Sequence, residues 1–356
     1  MLASSSMAFL KRLLDTPGPS GYETAAARVW RAEAQTFADV VRSDVAGNSI
    51  AEVNPEGSPT IMLDGHIDEI GVIVQYIDDD GYLYISPIGG WDPEVLVGQR
   101  LRFLSDDPEV VGVVGKKPIH LIKTADREKA SKITDFWVDI GARDRAQAEA
   151  RVAVGDAAVI DSRSMDFPND RIISRSIDDR IGAFAVLEAL RRYKERPGKA
   201  RVVAAATTQE EIAWNGGGAL VSANTIRPQM AIAVDVTFAT DHPGLEKKEI
   251  GDHRLGSGPV LVRGSLVSPV VFELLREAAK AANIPYTVHA EGRATHTNAD
   301  AIHLAREGVA TALVSIPNRY MHSPNEMVSL ADVDHTAALI AEACRGVDDR
   351  TDFTAR

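Results

Sequence analysis

The sequence has a single cysteine, no long apolar run and no secretion signal at its start. Because Cys344 has no partner within the chain, an intrachain disulfide is excluded and a reducing compartment is expected. No stretch reaches the roughly 18 apolar residues of a membrane span, and the first residues lack a charged region followed by an apolar one. These absences predict a cytoplasmic protein with no membrane partner.

Basic residues are outnumbered by acidic ones: the sequence has 39 Lys and Arg residues and 51 Asp and Glu residues, which gives a formal net charge of -12. A long basic surface for nucleic acid is therefore not expected. The locally basic segment 116–132 is flanked by acidic residues and lacks interleaved aromatics, which favours a solvated surface over a nucleic-acid site. The excess of carboxylates instead supplies candidate metal ligands.

The order of secondary-structure signals indicates an α/β domain interrupted by a β-rich insert, within a chain of 356 residues that is long enough for about two domains. Apolar runs typical of buried strands alternate with helical patterns; they lie at residues 60–63, 201–206, 230–234 and 312–316. The middle of the chain instead has short β-type runs punctuated by glycine and aspartate. We therefore predict a mixed, mainly parallel α/β sheet with helices on both faces, built from 1–70 and 168–356, and an inserted all-β domain at 71–167.

Acidic residues and histidines cluster where the predicted strands end or the predicted helices begin, which is where open α/β sheets bind ligands. The five places are Asp64-Gly65-His66-Ile67-Asp68-Glu69, Ser176-Ile177-Asp178-Asp179-Arg180, Thr207-Thr208-Gln209-Glu210-Glu211, Val234-Asp235-Val236 and Asn318-Arg319-Tyr320-Met321-His322. Each of them has an ordinary structural explanation when it is taken alone.

His66 and Asp68 are two residues apart, so they project to the same side of an extended chain, where a carboxylate can orient an imidazole for a metal. A hydrogen-bonded pair within a loop is the ordinary alternative. Asp178 precedes a predicted helix, where it could cap the helix or bridge two cations.

Glu210 and Glu211 stand at the mouth of a buried strand, where like charges repel unless positive charge is near, although a solvated turn is the alternative. Asp235 interrupts an apolar strand and therefore needs a cation or a hydrogen-bond network. His322, alone in a loop, is typical of a surface residue until the other four places are counted with it.

Together these residues offer hard and borderline ligands, which suit zinc, cobalt or manganese rather than copper or an iron–sulfur cluster. Two such cations could share one carboxylate. The other histidines have no comparable setting; they are His120, His242, His253, His289, His296, His303 and His335. Among them, His296 and His242 are the best candidates for lining a pocket.

The same segments, in this order and spacing, closely resemble the family of TET-type metallo-aminopeptidases, which includes glutamyl and deblocking aminopeptidases. The resemblance runs over nearly the whole chain. Beyond the five places, it rests on Pro17-Gly18-Pro19-Ser20-Gly21-Tyr22-Glu23, Gly47-Asn48, Ala239-Thr240-Asp241, Gly258-Pro259 and Ser315-Ile316-Pro317. The chain departs from the commonest pattern at Phe238 and Asn298, which bears on the shape and charge of the substrate pocket.

The resemblance implies a dinuclear site with two divalent ions, zinc or cobalt, with manganese as an alternative. One metal is expected on His66, Asp178 and Asp235. The other is expected on Asp178, Glu211 and His322. Asp68 would orient His66, and Glu210 would act as the general base that takes a proton from water and passes it to the leaving amine.

The resemblance further implies that the substrates are short peptides with a free N-terminus and that the chain assembles into dimers and a hollow tetrahedral dodecamer. The insert would be the dimerisation domain, with Trp91, Leu96 and Trp137 as apolar residues that a partner could cover, unless they form the core of the insert. The alternatives within enzymes are a related metal-dependent deacylase or carboxypeptidase. A catalytically silent, shell-forming binding protein is the alternative from another class.

Overall fold

The computed structural model describes residues 2–105, 110–213 and 216–354. The chain opens with α1 (Ser4–Asp15) and α2 (Thr24–Ala34), followed by β1 (Val40–Ser43), β2 (Ser49–Val53) and β3 (Thr60–His66). The apolar spacing of Phe9, Leu10, Leu13 and Leu14 buries one face of α1, and the helix ends before the Pro-Gly turn as predicted. No helix among the described residues has the length and apolarity needed to cross a membrane.

The middle of the chain forms a small closed barrel. Its elements are β4 (Gly71–Ile77), β5 (Leu83–Ile88), α3 (Pro93–Leu96), β6 (Arg100–Phe103), β7 (Val111–Gly115), β8 (Trp137–Asp139), α4 (Arg145–Glu149) and β9 (Ala157–Ile160). The strands close in the order β4-β5-β8-β7-β6-β9. Inward-facing apolar side chains fill the barrel, among them Leu96, which is fully buried and cannot contact a partner. Trp91 packs against this core, and its indole N–H donates to the Gly71 carbonyl.

The chain then returns to α/β structure. The elements are β10 (Met165–Phe167), β11 (Arg171–Ser174), α5 (Ile177–Glu195), β12 (Arg201–Thr207), α6 (Gly217–Ile226), β13 (Met230–Phe238), α7 (Lys247–Ile250), β14 (Val260–Gly264), α8 (Pro269–Ala281), β15 (Thr287–Glu291), α9 (Ala299–Ile302), β16 (Ala310–Asn318), β17 (Glu326–Ser329) and α10 (Leu330–Arg345). Strands β10, β11 and β17 form a separate three-stranded sheet. The barrel strands thus lie between 71 and 160, and the proposed domain limit at 167 stays a prediction.

The large sheet has eight strands in the order β1-β2-β12-β3-β13-β16-β14-β15. Its four central strands, β12, β3, β13 and β16, are mutually parallel, while β2 and β14 join them antiparallel. One core, which includes Phe9, Trp30 and Phe184, covers one face of the sheet, and a second core, which includes Ala219 and Ile302, covers the other. The predicted mixed, mainly parallel sheet with helices on both faces is confirmed.

Candidate metal centre

The carboxyl ends of the four central parallel strands meet at one edge of the sheet, and the predicted site residues gather there. His66 ends β3, Glu210 and Glu211 follow β12, Asp235 lies near the end of β13, His322 follows β16, Asp178 lies in the first turn of α5, and Asp68 follows β3. Since these positions are up to 256 residues apart, only the parallel order of the strands brings them together.

Asp178 lies between the two histidines. His66 Nε2 is 3.3 Å from Asp178 Oδ1, and His322 Nε2 is 3.3 Å from Asp178 Oδ2. His322 Nε2 is also 3.3 Å from Glu211 Oε1, and His66 Nε2 is 3.7 Å from Glu210 Oε2. Both imidazoles therefore present the same ring nitrogen to a shared group of carboxylates.

The ring orientation of His322 leaves a lone pair facing those carboxylates. Its Nδ1 lies 2.7 Å from the carbonyl oxygen of Gly90, which can only accept, so Nδ1 must donate. In the neutral ring Nε2 is then an acceptor that faces the carboxylates of Asp178 and Glu211. Acceptors that face one another at this distance are stable only with a proton or a metal cation between them, and a hydrogen bond from the other ring nitrogen to a carbonyl orients a histidine for a metal in this way.

Two overlapping groups of ligand atoms have the spacing of a metal site. The atoms of His66, Asp178 and Glu211 lie within 4.8 Å of one another, as do those of His66, Asp179 and Asp235. Glu211 Oε1 is buried without a hydrogen-bond donor. Asp179, by contrast, accepts from the backbone N–H groups of His66 and Gly182, so it ties β3 to α5. Carboxylate and imidazole donors at this spacing fit a divalent first-row cation.

Asp68 is fully buried and contacts both halves of the site. Its Oδ1 lies 3.3 Å from His66 Nδ1, a charge contact without the angle of a hydrogen bond. It also accepts hydrogen bonds from the Ser20 hydroxyl and from the backbone N–H groups of Glu210 and Glu211. The carboxylate therefore holds the glutamate loop beside the histidine that it faces.

The electrostatics of the cluster favour a bound cation. Burial, helped by neighbouring carboxylates, raises the pKa of Glu210 to about 8 against the lowering effect of His66. Burial likewise raises the pKa of Glu211 and of Asp235. Burial lowers the pKa of His322, but its contacts with Asp178 and Glu211 outweigh that effect and raise it to about 11. Desolvated carboxylates that crowd together in this way are stabilised as anions when a metal ion is near.

The loops that carry the ligands adopt a backbone conformation that is rare for residues other than glycine. Ser176, Gln209, Tyr320 and His322 have φ values of 61°, 60°, 62° and 58°. Each such residue costs on the order of 1 kcal/mol or more, and residues of this kind cluster at functional sites. Here they occur in three separate loops that carry site residues, those before α5, after β12 and after β16.

The sequence analysis missed Glu326, which is buried at the start of β17. Its Oε2 accepts from the backbone N–H of Asp178, and its Oε1 accepts from that of His322. One carboxylate thus fixes the backbone of two proposed ligands. Its sequence gives little sign of this role, because Glu326 follows the turn formers Pro324 and Asn325 rather than interrupting an apolar strand as Asp235 does.

A cleft of about 420 Å³ opens onto the cluster and is lined by His66, Asp178, Glu210, Glu211, Asp235, Val236, Thr237, Phe238, Ile250, His289, Glu291, Thr295, His296, Thr297, Met321 and His322. His296 lines it, as predicted. His242 is not among the residues that line this cleft and packs against the ring of Tyr320, so its place in a pocket stays a prediction. His289, which was assigned to the surface or core, is part of the lining.

Comparison with known proteins agrees with this geometry. The M42 glutamyl aminopeptidase family matches residues 47–339. The lysyl aminopeptidase of Pyrococcus furiosus is 38% identical over 93% of this chain and 94% of its own length. The crystal structure of a TET aminopeptidase from a marine sediment Thaumarchaeota archaeon is 32% identical, covers 97% of both chains and superposes with a TM-score of 0.92.

A further solved structure, the TET1 peptidase of Pyrococcus horikoshii, is described as assembling into a tetrahedron or a large octahedral shell. It is 29% identical, covers 96% of this chain and 100% of its own, and has a TM-score of 0.84. The family match extends over most of the chain, and the residues gathered at the sheet edge are the ones that carried the resemblance. The chain therefore belongs to the M42 glutamyl aminopeptidase family of metallopeptidases and is a hydrolase that acts on peptides.

Proposed function

We propose that this enzyme removes single residues from the N-terminus of short peptides with the help of two divalent ions. The observation that carries the proposal is the position of Asp178, whose two carboxylate oxygens each lie 3.3 Å from the Nε2 atom of a different histidine. A carboxylate placed in this way can give one oxygen to each of two cations.

The proposed ligands of one ion are His66, Asp178 and Asp235, and those of the other are Asp178, Glu211 and His322. Zinc or cobalt suits this mixture of imidazole and carboxylate, with manganese as the alternative. When bound, such ions lower the pKa of water and polarise a peptide carbonyl. Asp68 holds the ring of His66, and Gly90 holds that of His322.

Glu210 is the proposed general base. Its side chain is 19% exposed and lines the cleft, whereas that of Glu211 is 7% exposed and contacts His322. The raised pKa of the Glu210 carboxyl suits a group that takes a proton from water and later gives it to the leaving amine. The two adjacent glutamates therefore have different roles, one in proton transfer and one in metal binding.

Removal of only the first residue requires recognition of the free α-amine. The carboxylates of the cluster are suited to a cationic amine, because opposite charges attract strongly where water is partly excluded. A blocked N-terminus has no such charge. The substrate's amine would thus place its first peptide bond beside Glu210.

A matched set of peptides tests this function. One sequence is synthesised free, N-acetylated and C-amidated, and its digestion is followed by mass spectrometry after loading with Zn²⁺, Co²⁺ or Mn²⁺. We expect sequential loss of N-terminal residues from the free and C-amidated peptides and none from the acetylated peptide. Cleavage that C-amidation blocks would identify a carboxypeptidase, removal of the acetyl group a deacylase, and no cleavage with any metal a silent binding protein.

We also propose that residues 71–167 form a dimerisation domain and that dimers build a closed shell, as the TET1 peptidase of P. horikoshii does. The support within this chain is a set of exposed apolar side chains on the barrel, namely Tyr76, Tyr84, Val111, Val113, Ile119 and Leu121. Val113→Glu together with Leu121→Glu should lower the mass measured by light scattering. A wild-type chain that is monomeric at micromolar concentration would refute the assembly.

A further inference from the structure

The cleft beside the cluster contains one carboxylate that the proposed reaction does not use. Glu291 is the last residue of β15, and its side chain is 30% exposed. One oxygen, Oε1, accepts from the backbone N–H of Arg293 at 2.9 Å. The carboxylate thus has a fixed position on the wall of the cleft, and its second oxygen can accept further hydrogen bonds.

No lysine or arginine side chain within the described residues forms an ion pair with Glu291. The titratable side chain that contacts Glu291 is His289 of the same strand, whose Nε2 lies 3.8 Å from Oε2. His289 Nδ1 lies 2.9 Å from the carbonyl oxygen of Ile250, so Nδ1 donates and the neutral ring presents an acceptor at Nε2. Two acceptors then face each other at Glu291 and His289, an arrangement that a cation entering the cleft would stabilise.

Two cationic side chains on segments beside the cleft have partners of their own. Arg319 is paired with Asp241, and Lys247 is paired with Asp252. The Nε2 of His253 donates to the Ile250 carbonyl, and its Nδ1 is hydrogen-bonded to the Thr287 hydroxyl. Glu291 is thus the fixed charge that a side chain entering the cleft would meet once the cluster is occupied.

Part of the remaining wall is apolar, beside the polar residues Thr237, Thr295 and Thr297. Phe238, Ile250 and Met321 line the same cleft, and Phe238 is 47% exposed there. Such a wall suits the methylene stem of a long side chain, while a carboxylate suits a cationic head. An acidic side chain would instead face repulsion from Glu291.

We propose that Glu291 selects substrates whose first residue is lysine or arginine. This inference rests on the proposed aminopeptidase function and names the substrate class of the same site. The free α-amine lies against the carboxylates of the cluster, the stem of the first side chain lies along Phe238 and Met321, and its ammonium or guanidinium group pairs with Glu291.

The test compares substrates that differ only in the cationic head. Lysyl and norleucyl p-nitroanilides have the same four-carbon stem, and glutamyl p-nitroanilide supplies the opposite charge. The wild-type enzyme should cleave the lysyl substrate with the highest kcat/KM. Glu291→Gln keeps an acceptor for the Arg293 N–H but removes the charge, so kcat/KM for the lysyl substrate should fall about 10- to 100-fold. The norleucyl value should change by less than about twofold.

Glu246→Gln is the matched control, because Glu246 is an exposed acid on a neighbouring segment and does not line the cleft. It should leave the ratio of lysyl to norleucyl activity unchanged. Glu291→Lys should reverse the preference toward the glutamyl substrate, and thermal denaturation of all three variants shows that they are folded.

The inference is overturned if Glu291→Gln keeps the wild-type ratio, or if the wild-type enzyme prefers the glutamyl or norleucyl substrate. If the folded, metal-loaded enzyme still hydrolyses the norleucyl substrate, only the proposed substrate preference is refuted and the aminopeptidase function is supported. If the metal-loaded wild type cleaves none of the three substrates, the proposed function itself fails, and the inference fails with it.

Discussion

The barrel and the large sheet differ in the side chains that they bury, since in the part of the chain that the structure describes only the sheet buries charged ones. Among the described residues from 71 to 160, none of the fully buried side chains is polar, and the barrel core is entirely apolar. The edge of the parallel sheet instead buries Asp68, Asp178 and Asp235, each within 4.8 Å of His66. Since burying an uncompensated charge is costly, a fold retains such a cluster where a cation or a reaction needs it. Chemistry is thus concentrated in the sheet, and the barrel contributes one backbone carbonyl, that of Gly90.

The largest expected effect is that of metal removal. Exhaustive chelation, checked by elemental analysis, should abolish peptide hydrolysis, because the acids of the sheet edge then have no cation to act with. Restoring a divalent first-row metal should restore activity. Full turnover by verified metal-free protein would show that the buried carboxylates serve stability alone, as the barrel core does.

Glu210→Gln should reduce kcat by about 10²- to 10⁴-fold, the range for a positioned general base, while the metal content stays at the wild-type level. Glu211→Gln is the matched variant, and it should lower the metal content, since Glu211 contacts His322 directly. Kinetics and elemental analysis of both variants show whether one glutamate acts in proton transfer and the other in metal binding. Equal metal loss in the two would mean that the adjacent glutamates do not divide these roles.

Asn298→Asp should destabilise the sheet edge by about 1–3 kcal/mol. The Asn298 amide donates to Asp64 Oδ2 at 2.8 Å and to Thr207 Oγ1 at 3.0 Å, and all three side chains are buried. A carboxylate at 298 cannot donate and would repel that of Asp64. The midpoint of thermal denaturation should fall.

The exchanged double variant, Asp64→Asn with Asn298→Asp, is the control for this network. It restores one amide and one carboxylate in swapped positions and should recover part of the lost stability. An unchanged midpoint in the single variant would show that the network does not stabilise this edge.

The smallest effect is expected in the barrel loop. Gly90→Ala keeps the carbonyl that orients His322, and the added Cβ would lie 3.6 Å from the His322 ring, an ordinary contact. We expect kcat/KM within about twofold of the wild type. A loss of tenfold or more would mean that the barrel shapes the site beyond its backbone carbonyl.

Some features of the site were predictable because a local pattern reports them. His66 and Asp68 alternate at the end of an apolar strand, and Asp235 interrupts another, so the sequence marks both places as candidate ligand positions, each with a hydrogen-bonded alternative. Glu326 has no such local pattern, since it follows Pro324 and Asn325 at the start of a short strand, and its role depends on the backbone N–H groups of Asp178 and His322, which it binds. No pattern linked Asn298 to Asp64, because the two side chains meet only after 234 residues of chain have folded.

The lining of the cleft could not be predicted from local sequence patterns either. Glu291 and His289 lie on an edge strand with little apolar pattern, and nothing in their neighbourhood marks them as facing the site. Their position follows from β15 pairing with β14, which in turn joins β16 beside the histidine loop. A charge that selects substrates must lie near the reacting bond in space. It can therefore be far from the ligands along the sequence.

The amino-acid sequence by itself determined the strand and helix periods, the apolar filling of both layers and which residue types were available to bind a metal. Those properties depend on neighbours within a few positions along the chain. The tertiary structure decided that both histidines present Nε2 to the two oxygens of Asp178, that Gly90 orients one of the rings, and that Glu291 lines the cleft without a lysine or arginine partner among the described residues. These are properties of distance and angle between distant segments, and hydrogen bonds and ion pairs depend steeply on both.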